Sequence, residues 1–170
     1  MLDQLEAGRV TEVVVPPSVS GGALFLAKVF EESEREFALV DGSDSFDVCA
    51  YGSILLEKMY WCRCRRVSQA LQCTDALLRD GVLPLVIMDL SLCRLHELKE
   101  VPRGGWYRLR QLAQRSGVPL MAMTPQPLIP SPGMRRTLCS SLSIDDLESR
   151  RQDMRPRWNA EKVVKTQVVG

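Results

Sequence analysis

Leu85-Val-Ile-Met-Asp89 is a continuous apolar run with no polar residue at alternate positions, so as a strand it must be covered on both faces. A strand of that kind belongs at the centre of a parallel sheet, between helices that cross from one strand to the next. The rest of the chain alternates strand and helix signals in the way this demands. Gly8-Arg-Val-Thr-Glu-Val-Val-Val15 is β-branched and reads as a first strand, followed by the apolar helix Leu24-Phe-Leu-Ala-Lys-Val-Phe30. Phe37-Ala-Leu-Val-Asp41 and Met59-Tyr-Trp-Cys62 read as the next two strands, with a polar, turn-rich loop over 42–51 and a helical turn over 53–58 between them.

Ser68 is the expected N-cap of a helix through Arg79, in which Ala70, Leu71, Thr74, Leu77 and Leu78 share one face and Asp80-Gly81 ends the element. A second amphipathic helix spans Trp106 to Ser116 with Trp106, Leu109, Leu112 and Ala113 inward. Gly117 stops it, and Val118-Pro-Leu-Met-Ala-Met123 is the following strand. Pro125, Pro127, Pro130 and Pro132 then forbid regular structure, so this stretch is an ordered loop or a linker. Late strands are expected within 137–144 and 159–169, separated by the charged stretch Asp145 to Arg157, a solvated helix or hairpin.

Composition excludes more than it selects. A net charge of +1 leaves no global field to draw the chain to nucleic acid or an anionic membrane, so such binding would have to be local. The six cysteines show no recurring zinc spacing and the single histidine, His96, has no ligand neighbour, which makes reduced, mostly buried thiols the expectation and a metal site not. Cys62-Arg-Cys64 places two thiols on one face of a strand. No apolar run is long enough to span a bilayer and no leader is recognisable, as expected of a cytoplasmic protein.

The chemistry-bearing segment is the loop between the first strand and the first helix. Pro16, Pro17, Ser18, Val19, Ser20, Gly21, Gly22 and Ala23 stand where a phosphate-binding loop would stand, since strand, tight loop and helix N-terminus together make a cradle of backbone amides. Such a loop ends in a lysine for the phosphates and a hydroxyl for Mg²⁺; this one ends in Gly22-Ala23. A second carboxylate on a neighbouring strand is present as Asp89. With the cation and hydroxyl missing, nucleotide hydrolysis is not expected, and neither catalytic residue, cofactor nor metal is assigned. Arg63, Arg65 and Arg66 form the densest basic cluster, at the end of the third strand, where a doubly wound sheet presents its ligand edge. They face either an anion or partner there, or solvent. Trp106 and Tyr107 are either a core stripe or an interface anchor.

Taken together, Gly8 to Gly22, Ala38-Leu-Val-Asp-Gly-Ser-Asp-Ser-Phe-Asp47, Gln69 to Gly81 running into Asp89, and Trp106 to Pro125 resemble the core of the RecA-like recombinases. The similarity is greater to their non-recombinase relatives of the ImuA and SulA group. It implies an α/β fold with a RecA-like, mostly parallel sheet, helices on both faces, and antiparallel strands near the C-terminus. It divides the chain into a core over 1–145 with a degenerate P-loop and a charged tail or hairpin over 146–170. Residue by residue, Gly21 matches the last glycine of the family's loop, Gly22 replaces its lysine and Ala23 its hydroxyl. Asp89 matches the Walker B aspartate as a vestige, and Ser43 stands near the water-activating glutamate of recombinases. The proline-rich 124–133 takes the place of a DNA-binding loop but has no basic run, so direct DNA binding stays open.

The resemblance implies a non-catalytic accessory of the bacterial SOS response that supports translesion synthesis through protein contacts. Its partners would be an ImuB-type polymerase homologue, an error-prone polymerase or RecA, met through Arg63, Arg65, Arg66, Pro125, Pro127, Pro130, Pro132 and the tail. The alternatives are a SulA-like division inhibitor and a weakly ATP-binding RecA-type ATPase. The first strand lies almost at the start of the sequence, so the expectation for self-association is a small homo-oligomer and not a filament.

Overall fold

The computed structural model describes residues 5–18, 21–51, 56–139 and the strand at 161–164. In chain order the elements are β1 (Val10–Val14), α1 (Gly22–Glu32), β2 (Phe37–Asp41), a 3-10 turn (Val48–Ala50), β3 (Met59–Arg63), α2 (Val67–Asp80), β4 (Val86–Asp89), α3 (Leu95–Lys99), α4 (Arg103–Ser116), β5 (Leu120–Thr124), β6 (Met134–Leu138) and β7 (Glu161–Val164). Among the described residues the sheet has seven strands, in the order β3-β2-β4-β5-β1-β6-β7. All neighbours are parallel except β6 and β7, which run antiparallel. Both late strands are present: β6 begins three residues earlier than its sequence signal, and β7 lies inside the expected window. The charged stretch at 145–157 lies outside the described residues.

The period-two alternation of the strands divides the core in two. Phe37, Leu39, Ile87, Met121 and Met123 point to one face and meet Leu24, Phe25, Val29 and Phe30 of α1. Ala38, Val40, Val86, Met88, Leu120 and Ala122 point to the other and meet α2 and α4 through Ala70, Leu78, Trp106, Leu109 and Ala113. Each fully buried Leu, Ile, Met or Phe in these layers contributes about 1.5–3 kcal/mol through burial. The two outer helices are also clasped by charge, because Asp75 of α2 accepts hydrogen bonds from Arg79 on its own helix and from Arg108 on α4. Those guanidiniums hold the Asp75 carboxyl below the ordinary aspartate range, Arg108 being the stronger influence.

Helix ends match the stop signals better than the start signals. Gly81 and Gly117 adopt the left-handed conformation (φ 70° and 76°) that closes α2 and α4. Ser68 is not the N-cap of α2: the helix begins at Val67 after Arg66 in extended conformation, with no side-chain cap. Burial of Val67 in the core decides the start there, overriding the hydroxyl's local preference. Likewise α4 begins at Arg103 and takes in Gly104 and Gly105. The cysteines are free, but only Cys64 is buried; Cys49 and Cys139 are exposed and Cys62, Cys73 and Cys93 half-buried, which corrects the expectation of mostly buried thiols. No described helix is long and apolar enough to cross a membrane.

Candidate functional site

The carboxyl ends of the parallel strands gather the residues singled out in the sequence. Asp41 and Asp89 end β2 and β4 side by side in the sheet register. The cleft above them is also walled by Val15, Gly21, Gly22 and Ala23 from the β1–α1 connection and by Ser45, Phe46, Asp47 and Tyr51 from the loop after β2. Its volume is about 290 Å³. Gly21 caps α1 with φ 131°, a conformation reserved for glycine, and its carbonyl accepts from the Phe25 amide at 2.8 Å. A Cβ at Gly22 would stand 3.3 Å from Val15 Cγ1, so the loop is drawn tightly onto β1. Val19 and Ser20 lie outside the described residues, and Pro16, Pro17 and Ser18 precede them as the turn leaving β1.

The two aspartates are differently committed. Asp41, 1% exposed, accepts from the Ser43, Ser45 and Phe46 amides at 3.3, 3.1 and 2.9 Å, so its carboxylate folds the following loop. Ser43, whose hydroxyl is hydrogen-bonded to that of Ser45 at 2.7 Å, sits in this turn. Among the described residues the Asp89 carboxylate accepts from Ser91, through its amide at 2.9 Å and its hydroxyl at 2.6 Å. Burial pushes the Asp89 carboxyl above the ordinary aspartate value, and the neighbouring Asp41 adds to the effect, against the two Ser91 hydrogen bonds. Among the described residues that line the cleft, the charged side chains are Asp47 and Asp89; no lysine or arginine joins them. A site whose charges are negative repels a phosphate chain.

The loop after β2 is held by aromatic rings that sequence reading did not connect. Phe46 stacks on Tyr51 at 4.9 Å between centroids, and both pack on Phe30 of α1 at 5.9 and 5.4 Å. Phe46 also meets Trp61 of β3 edge-on at 5.5 Å. The Tyr51 hydroxyl donates to the Ala23 carbonyl at 3.2 Å, so the loop closes against the helix start that a phosphate would otherwise approach. The signal was available as Phe30, Phe46, Tyr51 and Trp61, but their convergence depends on the β2–β3 pairing.

The basic cluster divides. Arg63 donates to Asp44 at 2.6 Å and lies 4.8 Å from the Trp61 ring centre, so it pins the loop after β2. Its guanidinium holds the Asp44 carboxyl below the ordinary range. Arg65 is exposed, and Arg66, also exposed, lines a separate hollow together with Glu97 and Glu100. Trp106 is a core residue at 4% exposure, whereas Tyr107 is 57% exposed.

The proline stretch is an ordered loop, and its organiser was not anticipated. Glu12, in the middle of β1 and 0% exposed, accepts from Thr124 Oγ1 at 3.0 Å, the Leu128 and Ile129 amides at 2.7 and 3.0 Å, and Arg135 Nε at 2.6 Å. Arg135 also donates to the Ile129 carbonyl at 2.7 Å, closing the loop on itself. A single acidic residue inside a β-branched strand was the available signal. Pro125 and Pro132 are buried against the body while Pro127 and Pro130 are exposed. Leu92, 70% exposed after β4, adds an apolar side chain to the rim of the cleft.

No family model matches the chain, and no curated protein sequence matches it. Among solved structures, the RadB recombinase has a similar backbone, with a TM-score of 0.59 at 12% identity, over 80% of this chain and 79% of its own. The likeness at that identity is one of fold, and the fold is RecA-like: an α/β, mostly parallel sheet with helices on both faces.

Proposed function

We propose that on this RecA-like scaffold the chain works as a non-catalytic, cytoplasmic accessory of the bacterial DNA-damage response, of the ImuA type, supporting error-prone translesion synthesis through protein contacts. The observation that supports the non-catalytic part is the cleft at Gly21–Ala23: it lies between a strand end and a helix start, where a phosphate loop would lie, but among its described lining the charges are Asp47 and Asp89, with a tyrosine hydroxyl on the Ala23 carbonyl. Amides alone, beside two carboxylates and with no lysine among the described lining residues, give too little anion stabilisation to retain a triphosphate. Contact with a protein partner is favoured by what the same edge exposes: Leu92, Arg65, Pro127 and Pro130. The partners consistent with the reading are an ImuB-type polymerase homologue, an error-prone polymerase or RecA.

Titration calorimetry with ATP, with and without Mg²⁺, is expected to give no heat of binding at micromolar nucleotide. A micromolar dissociation constant would replace this reading with that of a RecA-type ATPase. Pull-down of the full chain against purified damage-response polymerases and the tubulin-like division protein is expected to retain a polymerase. Retention of the division protein alone would make the chain a SulA-like inhibitor.

A further inference from the structure

On the sheet face opposite α1, α2 and α4 lie side by side and run in the same direction, since each joins two parallel strands. Two hollows open between them along their length, of about 330 and 400 Å³. Leucines floor both. Leu71 and Leu109 line the first, and Leu78 and Leu112 the second; Leu71 and Leu112 are only half-buried, so part of their apolar surface remains open. Arg79 and Arg108 line both hollows and therefore stand between them.

That divide is held by a buried charge. The Asp75 side chain, 11% exposed, accepts from Arg79 Nη2 and from Arg108 Nε, with Arg108 Nη2 at 3.4 Å. The two arginine side chains stay 62% and 60% exposed. Among the described residues these bonds leave the Nη1 group of each guanidinium to an incoming acceptor. Arg115, also exposed, adds a third guanidinium at the second hollow. Among the charged side chains lining the groove, three cations thus stand against one carboxylate. Because Asp75 already fixes two of them, an approaching anion meets ordered donors and little side-chain freedom is lost on binding.

Fixed cations between two leucine-floored hollows call for a ligand that is acidic and aliphatic at once. A small oxyanion would use the guanidiniums and leave the leucines uncovered, and so would a nucleic-acid backbone, which brings phosphates but no aliphatic side chains. A helix with apolar residues one to two turns apart and a carboxylate between them offers both. The groove suits one in length: from Gly105 to Ser116 the α4 wall runs about 16 Å, or three helical turns. We propose that the α2–α4 groove docks an acidic amphipathic helix of a protein partner, which seats an apolar side chain in each hollow and sets a carboxylate on Arg79 and Arg108 between them. Arg115 meets a second acidic residue about one turn further on. The groove shares no lining residue with the cleft over Asp89, so the partner is held independently of what that cleft binds.

The test is a nuclear magnetic resonance titration of the ¹⁵N-labelled full chain with a synthetic alanine-based helical peptide of about 16 residues, long enough to span the groove. The peptide carries two leucines seven positions apart and a glutamate four positions after the first. Saturable shifts are expected at the α2 and α4 amides around Leu71, Arg79, Arg108 and Leu112, with a dissociation constant below about 1 mM. Changing the peptide's glutamate to glutamine, or either leucine to serine, should weaken binding by about tenfold, the worth of one charge-assisted hydrogen bond or one buried apolar side chain. Arg115→Glu, and Arg79→Gln, which leaves Asp75 its bonds from Arg108, should each weaken it by about threefold or more. Native amide dispersion checks that each variant is folded, and the peptide series on the native chain requires no variant. No shift at about 1 mM peptide, undiminished binding of the glutamine or serine peptides, or shifts centred on Arg63 and Arg65 would each overturn the proposal. A single-stranded DNA that moves the same amides at lower concentration would overturn it too, by making the groove a nucleic-acid surface.

Discussion

At the scale of single residues, Asp89 is where the chain departs most from what stability alone would select. A carboxylate that burial pushes toward its protonated form is destabilising when ionised, and such groups gather at binding and catalytic sites. Because its folded pKa lies above the unfolded value near 3.8, the folded state binds the proton more tightly than the unfolded one. Stability is then lost as pH rises from below 3.8 through the folded pKa, and the cost is fully present above that folded pKa. Asp89→Asn keeps an acceptor for Ser91 and removes the charge. It is expected to melt higher than the native chain at pH 7, with the difference closing as pH falls to 3.8. Equal melting temperatures across that range would mean that Asp89 is not strained by burial. Gly22-Ala23 and Asp89 could be read from the sequence because they occupy fixed places next to a strand end. The role of Tyr51 against Ala23 could not, since 28 positions separate them and only the packing of the loop joins them.

At the scale of elements, the strands were largely readable and their pairing was not. Period and composition give β1 to β5 to within two or three residues, but the order β3-β2-β4-β5-β1 follows from crossovers that no local pattern encodes. The proline loop shows the physical reason. Four prolines establish that it is neither helix nor central strand, and nothing within 124–133 distinguishes an ordered loop from a linker. The distinction lies in Glu12, more than a hundred residues away, whose buried carboxylate supplies acceptors for two loop amides and a threonine hydroxyl. Removing one member of a buried charged pair costs about 3–5 kcal/mol, because the partner is left uncompensated. Glu12→Ala should lower stability by that order in urea unfolding. It should also speed amide exchange at Leu128 and Ile129 beyond what the global loss accounts for. A loss below about 1 kcal/mol, the level of an exposed pair, would show the loop to be held by its buried prolines instead.

At the scale of the whole molecule, six parallel strands carry both apolar layers, and β7 closes the sheet from the far end of the sequence. An antiparallel last strand on a parallel sheet covers an edge without adding to the buried centre. It pairs with Arg135 to Leu138 through four residues, and cross-strand pairs contribute roughly 0.2–1 kcal/mol each. Truncation after Cys139 is therefore expected to leave a cooperatively folded domain weakened by about 2 kcal/mol, which at this size lowers Tm by roughly 4–8 °C. It would also uncover the Met134–Leu138 edge, so light scattering should show association that grows with protein concentration. Loss of the cooperative transition would place β7 within the folding unit, making the last strand part of the core's stability and not a cover for its edge.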